Sequence, residues 1–225
     1  VIVGAVVVPT GPLALDSRWA EAMGDIETPF LTHIALIFNA VGHGLLRALT
    51  LFAIGLVLLF ARRWRALVAF AVAEALTPLV ANVIKLLVDR PRPPVPMIDA
   101  HGSSYPSGHA AYACATAIAL VLLFTRPGPW RLPWFGAATL VSAAMAWSRT
   151  YLQVHWLSDA LAGAVLGLSV VLLSFGAVQT VALSGLRRFS RADGATTTSA
   201  QGGRQQGRGR GDPAGGGPRA RPERS

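Results

Sequence analysis

Cysteine is almost missing from this chain: Cys114 is the only one in 225 residues. A single thiol excludes an internal disulfide and any metal site built from cysteines, and its place inside an apolar run points to packing. Acidic residues are also scarce, 11 Asp and Glu against 20 Lys and Arg. They form no convincing cluster that would hold a metal. No internal repeat of useful period is apparent. Charge of either sign is thin, at 14% of residues, while hydrophobic residues make up 52% and the mean hydropathy is +0.48. Those proportions are too apolar for an ordinary soluble domain and read as an integral membrane protein.

What charge there is carries a net +9 and a pI near 11.3. Such a balance can mark a nucleic-acid binder, but here the arginines lie in short loops and a tail rather than on one amphipathic face. Membrane orientation accounts for them better, and no nucleic-acid partner is expected.

Along the chain, residues 1–8 form an apolar run too short to cross about 30 Å of hydrocarbon. They read as the end of a truncated first span, with a signal peptide as the rival. Residues 10–43 mix acidic and apolar side chains (Asp16, Arg18, Glu21, Asp25, Glu27), which predicts a connecting segment at the membrane surface. His33 and His43 stand ten apart, not at helical ligand spacing, and read as interfacial. Hydrophobic spans are predicted at 45–61, 66–88, 108–125, 133–147 and 156–183, giving an all-α, polytopic transmembrane bundle of about six spans. The run Arg90-Pro91-Arg92-Pro93-Pro94 forbids helix after the second of these. Gly163 and Gly167 are spaced for close helix packing. Glu74 lies in mid-span with no partner evident in the sequence.

Arginine clusters at 62–65, 126–131 and 187–191 follow every second span and therefore share one side. The positive-inside tendency makes that side the cytoplasm. The stretches holding Lys85, Arg90 and Arg92, and those holding Arg149 and His155, must then meet on the opposite face. Residues 1–191 form the expected membrane-embedded domain. Residues 192–225, rich in Gly, Arg, Ser and Thr with little to bury, are expected to be a disordered basic cytoplasmic tail.

Three charged stretches interrupt this apolar chain where spans meet the non-cytoplasmic surface. A phosphoryl group in transfer spreads negative charge over its oxygens and needs fixed cations and donors. Lys85, Arg92 and Arg149 can supply the cations. Ser107 and Gly108 open a helix whose free N–H groups favour an anion. If the chain turns helical around His155, Asp159 sits one turn on and can hold one imidazole nitrogen, leaving the other bare. His155 would then attack phosphorus, and His109 would protonate the leaving oxygen and later activate water. No metal or other cofactor is required by this chemistry. The bland reading of the same stretch is a snorkelling Arg149 with Asp159 as a helix cap.

Lys85 with six residues before Arg92-Pro93, then Pro106-Ser107-Gly108-His109, then Ser148-Arg149 with five residues before His155 and three more before Asp159, resembles the tripartite signature of the type 2 phosphatidic acid phosphatase superfamily. All of its positions match. The resemblance implies a phosphatidic acid phosphatase/haloperoxidase-like helical core and a metal-independent phosphatase acting on a lipid phosphate in the membrane. His155 would be its nucleophile and His109 its acid and base, with Lys85, Arg92, Ser107, Gly108 and Arg149 around the phosphate. Isoprenyl pyrophosphates such as undecaprenyl pyrophosphate are favoured by family frequency alone, with phosphatidic acid and phosphatidylglycerophosphate as alternatives. The expected setting is the plasma (inner) membrane, with the active site on the extracytoplasmic face. The rivals are a non-catalytic lipid-binding or transport protein that keeps the anion site and a vanadate-dependent haloperoxidase. Arg90, Asp89, His101 and Tyr105 are open candidates for lining the entrance.

Overall fold

The computed structural model describes residues 11–206, with side chains as far as Val181. Among the described residues every regular element is helical: α1 (Ala14–Asp25), α2 (Pro29–Val41), α3 (Gly44–Phe60), α4 (Trp64–Val88), α5 (Gly108–Phe124), a 3₁₀ turn (Pro129–Arg131), α6 (Leu132–Tyr151) and α7 (Leu157–Gln206). Residues 1–10, where a truncated first span is expected, lie outside the described part.

The spans predicted from 45 to 183 fall on α3 to α7, one helix each. By length and apolarity, two helices among the described residues can cross a membrane by themselves: Trp64–Val88 and Leu157–Val181. A third span results if α2 and α3, which meet at 54°, form one broken crossing. The clean count of six expected from hydropathy is therefore not what the helices present. Helix α5 is 17 residues long, and α6 ends in the polar Ser148-Arg149-Thr150 that serves the site. Large apolar side chains nonetheless cover the outside, with Leu86 at 85% exposure, Phe60 at 79% and Leu173 at 73%. Such a surface is stable in hydrocarbon and costly in water.

Helix α5 is the central element. Its small residues Ala115 and Ala119, together with Cys114 and Ile118, are buried against Leu58 of α3, Phe70 and Ala73 of α4, Ala138 of α6 and Val171 of α7. Cys114 is a packed free thiol, as its setting predicts. The α5–α7 contact is close. A Cβ on Gly163 would lie 2.3 Å from the Ser107 carbonyl oxygen, and one on Gly167 would lie 2.1 Å from that of Ala111. Only glycine permits this approach, so the spacing read as helix packing is indeed used for packing.

A second small core of Met23, Ala35, Tyr151, Leu152 and Val154 joins α1 and α2 to the end of α6. Trp19 donates to Thr150 Oγ1 at 2.9 Å, and Gln153 donates to the Ala20 carbonyl at 2.8 Å, fastening α1 there. The segment read as a surface connection is thus a pair of docked helices.

Helix α4 stops at Val88, and Asp89 caps it at φ +40° just before the prolines. At the other end of the bundle, Arg63 and Arg131 donate to the carbonyls of Leu123, Leu122 and Thr125 at the C-terminus of α5. Cations are favoured at that pole of a helix. Glu74 has partners the sequence did not reveal: Thr116 donates to it at 2.7 Å, and Arg47 lies 3.7 Å away while stacking on Tyr112. Helix α7 runs to Gln206, past the point where a disordered tail is expected to begin at Ala192. No proline occurs between Leu157 and Pro213 to stop it. The rest of that expected tail lies outside the described residues.

Candidate active site

The loop after α4, the start of α5, the end of α6 and the loop before α7 come together at one end of the bundle. Lys85 is in the last turn of α4, and Nζ donates to the Ser103 carbonyl at 2.7 Å. Arg92 lies in the proline-rich loop and works as a clamp. It donates to the carbonyls of His101 and Gly102 at 3.0 Å and of Val154 at 2.7 Å. Its Nη1 also lies 3.4 Å from His155 Nε2. Arg149, in the last turn of α6, is held by a short hydrogen bond to Asn39 Oδ1 on α2.

These groups enclose a cavity of about 360 Å³ lined by Lys85, Arg92, Gly108, His109, Arg149 and His155, with Asn39 and His43 on its α2 side. Three cations face the imidazoles of His109 and His155 there, with that of His43 beside them. Ser107 is fully buried at the mouth of α5, and its Oγ has no hydrogen-bond partner; neither do His109 Nε2, Arg149 Nε and His155 Nδ1. Buried polar atoms are normally satisfied, so this concentration of free ones marks a place built for a polar guest. The N–H groups of Gly108, His109 and Ala110 occupy the first turn of α5, where no intrahelical carbonyl serves them. They add a positive helix end to the cationic lining.

Two expectations need correction. Ser107 does not offer its N–H to an anion, because that group donates to the Asp159 carbonyl at 2.9 Å; its buried hydroxyl has no partner, and the free N–H groups of α5 begin at Gly108. His155 and Asp159 do not share a helix face. The chain is irregular at His155, and α7 begins at Leu157. Their approach survives for another reason: Asp159 turns back to cap the helix, accepting from the Trp156 N–H at 2.9 Å, and this brings Oδ2 to 3.7 Å from His155 Nδ1. At that separation the carboxylate acts by charge rather than by a direct hydrogen bond. Asp159 is thus the helix cap and also the carboxylate facing His155 Nδ1, without the hydrogen bond that was expected.

His155 is buried, and burial drives its imidazole down to about 4. Arg92 and Arg149 push the same way, while Asp159 pulls back. The ring is therefore neutral at neutral pH, with Nε2 presented to the cationic cavity.

Sequence reasoning missed Asn39 and His43. Asn39 gave no signal, since only folding brings α2 beside Arg149. His43 stacks on His109 with ring centroids 5.9 Å apart, and it was read as interfacial because it lies 66 residues from its partner in sequence. Arg90, an open candidate for the entrance, faces away from the cavity and is 1% exposed. Among the described residues no group of three His, Cys, Asp or Glu side chains has the arrangement to hold a metal ion.

Residues 66–182 match the PAP2 superfamily. Among solved structures, the chain is similar to a transmembrane PAP2-type phosphatidylglycerolphosphate phosphatase from Bacillus subtilis, with a TM-score of 0.66 and 24% identity over 74% of this chain and 85% of that one. It is also similar to LpxE from Aquifex aeolicus, with a TM-score of 0.61 and 22% identity over 73% of this chain and 96% of the other. At these identities the likeness is one of fold.

Proposed function

Since the chain belongs to the PAP2 superfamily, we propose that it is a membrane phosphatase that removes a phosphate from a lipid monophosphate or pyrophosphate through a phosphohistidine at His155. The observation that carries this reading is the single cavity in which Lys85, Arg92 and Arg149 surround His109 and His155.

Chemically, the anionic phosphoryl group is held by the three cations and by the N–H groups that open α5. His155 Nε2 attacks phosphorus, a bond forms between nitrogen and phosphorus, and the bond to the lipid oxygen breaks as His109 supplies its proton. In the second half, His109 takes a proton from water as the water oxygen displaces His155 from phosphorus, and inorganic phosphate leaves. Asp159 supports the positive charge that His155 acquires while it carries the phosphoryl group. The fixed cations neutralise the developing charge, so the steps need no metal.

A lipid substrate suits the surroundings. An apolar cavity of about 170 Å³, lined by Phe38, Leu51, Tyr112, Leu120 and Met145 among others, lies beside the catalytic one. Gly42 lines it and stands so close to His109 that a Cβ there would be 2.7 Å from the imidazole ring. The tail of the substrate stays in the bilayer while its head reaches the cations. We place the site on the extracytoplasmic face, because Arg63 and Arg131 gather at the opposite end of α5.

The reading is tested by a panel of undecaprenyl pyrophosphate, phosphatidic acid and phosphatidylglycerophosphate presented to the full chain in detergent with EDTA, scoring free phosphate. Release from at least one lipid, and none from His155→Ala, is expected. No release from any of them, or release only when a divalent metal is added, contradicts it.

A further inference from the structure

Behind the cavity lies a buried charge cluster of which the phosphatase chemistry above uses only Asp159. Arg90 and Asp16 are 1% exposed and Asp159 is 0% exposed. Arg90 Nη1 donates to Asp159 Oδ1 at 2.6 Å and to Ser158 Oγ at 2.7 Å; Nη2 donates to Asp16 Oδ2 at 2.7 Å. Asp16 is itself fully engaged. It accepts from the Ser158 N–H and hydroxyl at 2.8 Å each and from the Leu13 N–H at 3.0 Å. The chain thus runs Asp16, Arg90, Asp159, His155, and its last link is the 3.7 Å approach of Asp159 Oδ2 to the imidazole.

We propose that Asp16 is a positioning residue for the reaction: acting through Arg90, it sets the orientation and the effective charge of the Asp159 carboxylate that faces His155. The proposal rests on the phosphatase reading for the role of His155.

Two physical arguments support it. The first is geometric. Arg90 holds one oxygen of Asp159 and the Trp156 N–H holds the other, so the carboxylate cannot rotate, and Arg90 is in turn fixed from its far side by Asp16. The second is electrostatic. An arginine paired with Asp159 alone would cancel the charge that His155 needs when it becomes cationic. With Asp16 present, two carboxylates share one guanidinium, and the trio keeps a net negative charge next to the imidazole. Burial by itself would raise the Asp16 carboxyl, but the hydrogen bonds from Ser158, Leu13 and Arg90 outweigh it and hold the group below its ordinary value. It therefore stays ionised in the working range. An ion triad buried this completely is costly to assemble merely to dock a short helix, which Trp19 and Gln153 already fasten.

The test compares Asp16→Asn with Trp19→Phe, which loosens the same helix without touching Arg90, in the full chain in detergent. Asp16→Asn is expected to lower kcat by roughly tenfold with KM little changed, because Asp16 does not touch the phosphate. Trp19→Phe should leave both constants as in the wild type. In an Arg90→Gln background, adding Asp16→Asn should cost almost nothing further, since the path is already cut. Wild-type kcat in Asp16→Asn, equal losses in Asp16→Asn and Trp19→Phe, or losses from Asp16→Asn and Arg90→Gln that multiply would each overturn the proposal. Should Asp16→Asn fail to reach the membrane, Arg90→Lys keeps the charge and loses the fork that joins Asp16 to Asp159. A several-fold loss of kcat there supports the proposal, and wild-type kcat overturns it. Carbethoxylation of His155 by diethyl pyrocarbonate, followed by mass spectrometry, needs no lipid substrate and so separates this proposal from the phosphatase reading. It should be slower in Asp16→Asn and unchanged in Trp19→Phe whatever the lipid panel shows; equal rates in Asp16→Asn and wild type contradict the relay.

Discussion

Arg92 Nη1 lies 3.4 Å from His155 Nε2 while donating to the Val154 carbonyl at 2.7 Å. The clamp that holds the loop around His155 is thus also a cation beside the nitrogen proposed to attack. It ties the loop before α7 to the loop after α4, two stretches more than sixty residues apart.

Arg92→Lys keeps the charge but loses the fork that reaches His101, Gly102 and Val154 together. A lysine offers a point charge, not a planar clamp. We expect kcat/KM to fall by about a hundredfold, roughly 2.7 kcal/mol of transition-state stabilisation. Steady-state phosphate release checks this, and a variant within threefold of wild type would show that charge alone suffices.

The pH dependence follows from the low proton affinity of His155. Its folded value is about 4 against an ordinary 6.5. With the neutral ring as the proposed nucleophile, the acid limb of kcat/KM, after correction for the ionisation of the substrate, should break near the lower figure. Between the two values the unfolded chain binds a proton that the folded chain does not, so stability should rise with pH across that window. The 15N shifts of labelled His155 in micelles report the titration directly. An imidazole that protonates at its ordinary value would contradict the burial argument.

Gly163→Ala places a methyl group 2.3 Å from the Ser107 carbonyl oxygen. Helices α5 and α7 must separate to admit it, at a cost of about 1–3 kcal/mol. Because the same contact holds Ser107 against Asp159, activity should fall with stability. Thermal unfolding in detergent, read beside turnover, should show both losses together. A variant that keeps the wild-type melting temperature would mean the contact is looser than described.

How much of this was legible in the sequence depends on whether a residue's task is local. The helices from α3 to α7 were readable because apolar runs and Pro/Arg breaks are local signals. Lys85, Arg92, His109, Arg149 and His155 could be picked out because charge is conspicuous against hydrocarbon. The sidedness read from the arginine clusters put Arg92 and His155 on one face, and the two lie 3.4 Å apart. Asp16 looked like one of several surface carboxylates, since nothing in its neighbourhood announces that it will be buried on an arginine 74 residues away. Arg90 was conspicuous, but its direction was not. Trp156 gave no sign that it would be 7% exposed and donate to the Pro91 carbonyl. Each of these depends on how α1 and the proline loop dock on α7, which no spacing rule encodes. The approach of His155 to Asp159 was anticipated with the wrong geometry, because a four-residue interval suits a helix face and also suits a cap that turns back on the chain before it.

The central claim is that His155 carries the phosphoryl group. Its most direct test is rapid quenching of the full chain with a 32P-labelled lipid phosphate, followed by mapping of the label by mass spectrometry. We expect acid-labile, base-stable phosphorus on His155, which disappears in His155→Ala. Label at any other residue, or turnover that persists in His155→Ala, would contradict the account.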